Sequence, residues 1–99
     1  MAAVRLIEQH APAKSVVALC AALGVGKRQL HRRFMAAVGY GPKRYIRVAR
    51  FQRLLRLMRE RRANRDWAGL AVDAGYADQA HMVNEVSALA GLSPAKLGL

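Results

Sequence analysis

The sequence has few cysteines, few acidic residues and no long apolar run, and each shortage argues against a class of protein. Cys20 is the only cysteine among the 99 residues, so no internal disulfide can form, and a reducing, cytoplasmic setting is favoured. No stretch of about 18 uncharged apolar residues is present, so no membrane-spanning helix is predicted. No apolar segment with a small-residue cleavage site follows Met1, so we predict no secretory signal.

Side chains that could catalyse a reaction or bind a metal are also scarce. The histidines and the cysteine have no metal-ligand spacing; they are His10, His31, His81 and Cys20. Cys20 lies in an apolar stretch, so we interpret it as a small core residue rather than a nucleophile. The four carboxylates after residue 65 are better explained as helix caps and surface charges than as an acid–base pair. The sequence therefore predicts neither an enzyme nor a cofactor.

Positive charge, in contrast, is abundant and unevenly distributed. The formal net charge is +11. Residues 1–65 contain 16 of the 17 lysines and arginines and only two carboxylates, so their net charge is +14, whereas residues 66–99 have one lysine and four carboxylates, a net of −3. An excess of this size predicts an anionic partner that is contacted mainly by the first two thirds of the chain.

Glycine and proline mark the ends of a series of helices, because the apolar residues between them recur at helical spacing. A short first helix that contains Ile7 is predicted to end near Pro12. Ser15 can cap a helix over residues 16–23, and Gly24 can adopt the left-handed conformation at its end. A third helix is predicted over 27–38, and a long fourth helix begins at Pro42 and reaches about residue 62.

The last third of the chain repeats the first. Asp66 and Asp78 can cap helices over residues 67–74 and 79–90. The offset is 51 residues up to the first turn and 52 after it, so the second turn is one residue longer. The matched pairs are Val16 and Trp67, Leu19 and Leu70, Cys20 and Ala71, Gly24 and Gly75, Leu30 and Met82, Phe34 and Val86, Gly39 and Gly91, and Pro42 and Pro94. This register predicts one all-α domain over residues 1–99 with two helix-turn-helix units, at 15–38 and 66–90, joined by a linking helix at 42–62.

Several motifs in this register carry a resemblance to a known family. They are Leu19-Cys20, Gly24-Val25, Leu30-x-Arg32-x-Phe34, Gly39-Tyr40-Gly41-Pro42-x-x-Tyr45, Arg50, Ala71-x-x-x-Gly75-Tyr76-x-Asp78-Gln79 and Gly91-Leu92-Ser93-Pro94. Over nearly its whole length the chain resembles the DNA-binding domain of AraC/XylS-type transcription regulators. The resemblance implies about seven helices and two recognition helices in successive major grooves of double-stranded DNA. It also implies RNA polymerase or a separate effector or dimerisation domain as partners, so the chain is either a one-domain regulator or a fragment.

The helix predicted over residues 27–38 has arginine opposite its apolar side. At 100° per residue Leu30 and Phe34 share one arc, while Arg28 and Arg32 lie near the opposite pole and close to the helix N-terminus. Arginine can donate two hydrogen bonds to O6 and N7 of guanine, and the family's base-contacting positions also map onto Arg28 and Arg32. The flanking residues predicted to bind phosphates are Lys27, His31 and Arg33. The alternative is that both arginines are solvated surface charges.

The equivalent helix over residues 79–90 has no arginine. Met82 and Val86 fall in its apolar arc, and Ala80 and Asn84 point outward. The family usually has arginine where Asn84 stands, so weaker specificity is expected from this unit. Asn84 could bind adenine, Ala80 could contact a thymine methyl, and Glu85 beside them would repel phosphate unless it accepts from a cytosine amino group. The other predicted DNA-contact residues here are Gln79 and His81; alternatively, this helix contacts only the DNA backbone.

The long helix has arginine at every third position from Arg44 to Arg62. Arg47 and Arg50 fall inside its apolar arc and need partners if they are buried; Arg50 also matches an arginine typical of the family's linking helix. The arginines opposite that arc are interpreted as solubilising, with DNA contact as the alternative; they are Arg53, Arg56 and Arg59. About 20 residues at ~1.5 Å each give a rod of ~30 Å, close to the ~34 Å between recognition helices on one DNA face.

Charge and register together predict sequence-specific binding of double-stranded DNA in transcription regulation. Two other functions stay open. A non-specific architectural DNA binder would show similar affinity for scrambled sequences. A protein-interaction module would dock a polymerase subunit or a partner regulator through the acidic, apolar second half, and a pull-down without DNA would detect it. A basic amphipathic helix can also bind an anionic membrane, but here both of its ends join folded modules, so no membrane partner is predicted.

Overall fold

A computed structural model describes residues 15–97, which contain helices and turns but no strand. The α-helices are α1 (Val16–Leu23), α2 (Lys27–Val38), α3 (Pro42–Glu60), α4 (Trp67–Ala74) and α5 (Gln79–Ala90), followed by a 3-10 turn at Pro94–Lys96. The all-α prediction is confirmed, although the described residues have five α-helices rather than about seven. The helix predicted around Ile7 lies outside the described residues. None of the helices within residues 15–97 has the length and apolar character needed to cross a membrane.

The described residues contain two matching helix pairs, α1 with α2 and α4 with α5. The helices have 8 and 12 residues in both pairs. Each pair turns at a glycine in the left-handed region, Gly24 with φ 65° and Gly75 with φ 106°, where a side chain would be strained. The N–H of the next residue donates to an equivalent carbonyl in each case, from Val25 to Cys20 and from Tyr76 to Ala71. The second turn is one residue longer, as the offset predicts.

The helix caps follow the sequence at two of three positions. Oγ of Ser15 accepts from the Ala18 N–H at 3.0 Å, and Oδ1 of Asp78 accepts from the His81 N–H at 2.7 Å. Asp66 stands at the N-cap of α4, but its side chain makes no cap hydrogen bond. Its carboxylate lies against Gly69 instead, where a Cβ atom would be 2.7 Å from Oδ2. Asp66 therefore occupies the predicted N-cap position, but the side-chain hydrogen bond expected of a cap is absent.

The first compact unit, which ends at Ala49, has its own core. Leu19, Leu30, Phe34 and Ile46 are buried at its centre. Half-buried side chains pack around them, and Cys20 is among these, in agreement with its predicted core role. The Tyr45 ring lies 5.4 Å from Phe34 and 6.1 Å from Tyr40, measured between ring centroids. α3 therefore contributes its first half to this core.

The second unit begins at Arg50, and the second half of α3 supplies its core together with α4 and α5. The buried apolar residues are Leu54, Leu57, Met58, Leu70, Ala71, Ala74, Tyr76, Met82 and Val86. α3 ends at Glu60, two residues before the predicted end. The reason is a turn closed by Asn64, whose N–H donates to the Arg61 carbonyl, and the Arg65 guanidinium donates to the exposed end of the helix at the Met58 carbonyl.

The Arg53 side chain is hydrogen-bonded to the backbone of α4. Its Nε donates to the Asp73 carbonyl at 2.7 Å, while the Asp73 carboxylate pairs with Arg61 at 2.8 Å. Asp73 lies in the last turn of α4, where carbonyls have no helical donor. The prediction that Arg53 only faces solvent is therefore wrong, whereas Arg56 and Arg59 are exposed as predicted.

Replacing Arg53 with alanine is expected to lower the free energy of unfolding by about 1 kcal/mol, because one charged hydrogen bond to a helix end is lost from a half-exposed position where water replaces part of it. Urea denaturation would measure the change. Arg56→Ala is the matched control, since its exposed side chain should change stability by no more than about 0.5 kcal/mol. Equal losses in the two variants would contradict a capping role for Arg53.

Candidate nucleic-acid interface

The outer face of α2 is a continuous basic surface. Leu30 and Phe34 are fully buried, and this orientation leaves the predicted contact residues exposed; they are Lys27, Arg28, His31, Arg32 and Arg33. Arg28 and Arg32 are four residues apart and so lie on the same side of the helix. None of the ion pairs between residues 15 and 97 involves an α2 cation. Two guanidinium groups therefore stand one turn apart beside the N-terminus of the helix.

His31 has a packing role in addition to its exposure. A Cβ atom on Gly41 would lie 3.0 Å from both Cε1 and Nδ1 of His31. The imidazole ring therefore covers the turn between α2 and α3, and a side chain at position 41 would displace it. A phosphate contact by His31 stays a prediction. If it forms, the imidazole would make it from the position in which it packs against Gly41.

Arg44 and Tyr40 form a cation–π pair that helical periodicity did not predict. Arg44, in the first turn of α3, places its guanidinium carbon 5.4 Å from the centroid of the Tyr40 ring. Tyr40 in turn stacks on Tyr45. A cation held over an aromatic ring loses little further side-chain entropy on meeting a phosphate. Only the spacing of Tyr40 and Arg44 on either side of Gly41-Pro42 could have indicated this contact. Helical periodicity does not predict contacts between residues separated by a turn.

The outer face of α5 has no lysine, arginine or exposed carboxylate. Met82 and Val86 are buried as predicted, and Gln79, Ala80 and Asn84 are exposed. Gln79 borders a shallow apolar pocket of about 90 Å³ that Trp67 and Pro94 also line. Ala80 and Asn84 are therefore the outward pair, at the two positions equivalent to Arg28 and Arg32.

Glu85 does not face outward beside Asn84. It is 7% exposed, and Nη1 of Arg50, itself 6% exposed, donates to both of its carboxylate oxygens at 3.3 Å. The prediction that Glu85 would repel phosphate is wrong, because one residue beyond Asn84 the helix has rotated about 100° and the side chain points towards α3. Arg50, which the helical pattern puts inside the apolar arc, is buried, and Glu85 is a partner of its guanidinium.

His81 also belongs to this internal network. Its Nδ1 accepts from the Ala77 N–H at 3.0 Å, and its Nε2 lies 2.8 Å from Oε2 of Glu85. A nitrogen that accepts a hydrogen bond has no proton, so the ring proton is on Nε2 and is donated to Glu85. The ring edge also contacts Tyr76, with centroids 5.4 Å apart. Both ring nitrogens of His81 are therefore bound within the protein, and a DNA contact by its half-exposed ring stays a prediction.

No arrangement suited to a metal ion is found in the described part of the chain, where no three His, Cys, Asp or Glu residues come together. The described side chains thus separate into an exposed basic face on α2, an exposed neutral face on α5, and a buried ionic network behind α5.

Comparison with known proteins identifies the family. A family model described as a helix-turn-helix domain, of the AraC type, matches residues 19–98 and so covers most of the chain. No curated protein and no solved structure gave a significant match. The matched family is one of DNA-binding regulatory domains and not of enzymes. The chain therefore belongs to the AraC-type helix-turn-helix family, whose domains bind DNA in transcription regulation.

Proposed function

We propose that this protein binds double-stranded DNA in a sequence-specific manner through two helix-turn-helix units, with α2 and α5 as recognition helices in successive major grooves. The observation that supports this best is the pair Arg28 and Arg32, exposed one turn apart at the N-terminal end of α2. The N-terminal part of a recognition helix meets the base edges, and an arginine fork matches O6 and N7 of guanine. The first half-site is therefore expected to contain guanine.

The duplication supports the assignment of two units. α4 and α5 repeat the lengths, the glycine turn and the buried positions of α1 and α2. The outward residues of the two units differ, with Ala80 in place of Arg28 and Asn84 in place of Arg32, so the proposed DNA site is non-palindromic. Lys27 and Arg33 flank the base-contacting pair on α2 and are assigned to phosphates, which position the protein without discriminating sequence.

Replacing Arg32 with alanine is expected to relax the preference at one or two adjacent base pairs by about 1–3 kcal/mol, because one bidentate contact to guanine is lost. Selection of bound duplexes from a random library would first identify the site. Competition with duplexes changed at single positions would then measure the preference of the wild type and the variant.

The matched control for this experiment is Arg56→Ala, which removes an exposed arginine from α3 and should leave every base preference unchanged. A uniform loss of affinity in Arg32→Ala, with unaltered preference, would assign Arg32 to the DNA backbone. Equal affinity of the wild type for selected and scrambled duplexes would instead identify a non-specific architectural binder.

A further inference from the structure

We infer that α5 recognises adenine–thymine pairs, so that the half-site under the second helix pair is A·T at the two or three base pairs that α5 contacts. This inference rests on the proposed function, because it requires α5 to lie in a major groove. It is carried by the chemistry of the surface that α5 leaves exposed.

The exposed surface of α5 has no carboxylate, lysine or arginine. The helix contains no lysine or arginine, and Glu85 is its only carboxylate. It is buried, with Arg50 and His81 bound to its carboxylate. Withdrawing Glu85 to meet a base would leave the Arg50 guanidinium buried without its carboxylate, which is strongly unfavourable. α5 therefore offers DNA no carboxylate, no lysine and no arginine.

The helix equivalent to α5 in the first pair, α2, exposes different side chains. Ala80 stands at the position of Arg28, Asn84 at that of Arg32, and the buried Glu85 at that of the exposed Arg33. The α5 positions thus present a methyl group and an amide where α2 presents three guanidinium groups. The two helices share a framework and have different base-contacting chemistry.

The amides and the methyl group exposed on α5 match the major-groove edges of only some bases. Guanine presents two acceptors that arginine or lysine binds best, and cytosine presents an amino donor that a carboxylate accepts. Adenine presents N7 and an amino group that an Asn or Gln amide binds in a bidentate manner, and thymine presents a methyl group for apolar contact. Asn84 and the exposed Gln79 supply amides and Ala80 supplies a methyl. Of the four bases, adenine and thymine fit this set.

The test uses the full chain and begins with selection of sites from a random duplex library. We expect A·T pairs at two or three positions about one helical turn from the guanine-containing half-site. Inosine–cytosine pairs are then placed at those positions, because they keep the minor-groove pattern of A·T and present the major-groove edge of G·C. The affinity should fall about 5- to 100-fold. Deoxyuridine in place of thymine, which removes only the methyl group, should lower the affinity about threefold.

A substitution at Asn84 provides a second test of the same inference. Asn84→Arg is expected to change the preference at its position from A·T to G·C, to bind a duplex with G·C at that position more tightly than the wild type does, and to steepen the salt dependence, since a bidentate cation replaces the amide. Position 84 is exposed, so the thermal unfolding midpoint should stay within a few degrees of the wild type. The half-site under Arg28 and Arg32 serves as the internal control and should keep its guanine preference.

Three results would overturn the inference while leaving the proposed function in place. They are G·C pairs at the second half-site, full affinity for the inosine-substituted duplex, and an Asn84→Arg protein that keeps the wild-type preference for A·T at its position. Tolerance of inosine would show that the minor-groove shape is recognised instead. If neither half-site showed any base preference, sequence-specific binding itself would be wrong, and that outcome is distinguishable from the other three.

Discussion

Replacement of Arg50 with alanine is expected to lower the free energy of unfolding of the second unit by about 3–5 kcal/mol. The substitution leaves the Glu85 carboxylate buried, with the His81 imidazole as one remaining partner and without the guanidinium that neutralises it. Since small domains are stable by only about 5–15 kcal/mol, a large part of this unit should unfold at moderate temperature. Urea denaturation followed by circular dichroism would measure the loss.

Two further variants distinguish the effect of leaving Glu85 without its ionic partner from the effect of losing side-chain volume. Arg50→Met combined with Glu85→Leu replaces both ions by apolar groups, and it should recover most of the stability lost by Arg50→Ala. Arg56→Ala removes an exposed arginine from the same helix and should cost no more than about 0.5 kcal/mol. If Arg50→Ala resembled Arg56→Ala, the buried pair would contribute no net stability.

Salt is expected to change DNA affinity more than any single substitution does. If six to ten phosphates are neutralised, affinity should fall about 10³- to 10⁵-fold between 50 and 200 mM salt. Exchanging both Lys27 and Arg33 for glutamine should lower the slope of log affinity against log salt by about 1.8, because each phosphate contributes about 0.9. Fluorescence anisotropy at several salt concentrations would give the slope.

The matched control removes two arginines from α3, with Arg56→Gln and Arg59→Gln in one chain, and it should leave the slope unchanged. Equal slopes for the two double variants would show that the exposed arginines of α3 also contact DNA. Substitution is a cleaner test than truncation near residue 63, because Leu54, Leu57 and Met58 are buried in a core that includes α4 and α5. Deleting those helices would expose the core.

Most of the helix boundaries could be predicted from local sequence. Glycine at the ends of α1 and α4 allows the left-handed turn, and Ser15 and Asp78 accept the N–H groups that a helix start leaves unpaired. The outward position of Arg28 and the inward position of Phe34 follow from the 100° rotation per residue. These features depend on neighbours within a few residues, so the sequence contains the information that specifies them.

The side-chain partners depended on tertiary structure. Arg50 and Glu85 are 35 residues apart, and Arg53 and Asp73 are 20 apart. Helical periodicity indicates that Arg50 turns towards the apolar side, but it does not say which residue of another helix lies opposite. Sequence order alone predicts that Glu85 lies beside Asn84 on the DNA side, whereas the packing of α5 against α3 buries it.

The sequence alone determined the helices, the duplication and the basic α2 face, because propensity, periodicity and charge are properties of short segments, and its motifs carried the resemblance to a DNA-binding family. Only the tertiary structure decided which charges are available to a partner. Burial of Glu85 with Arg50 and His81 removes the one carboxylate of α5 from the surface. The physical reason is that a charge in the apolar interior needs a partner of opposite sign, and the packing of the helices supplies that partner.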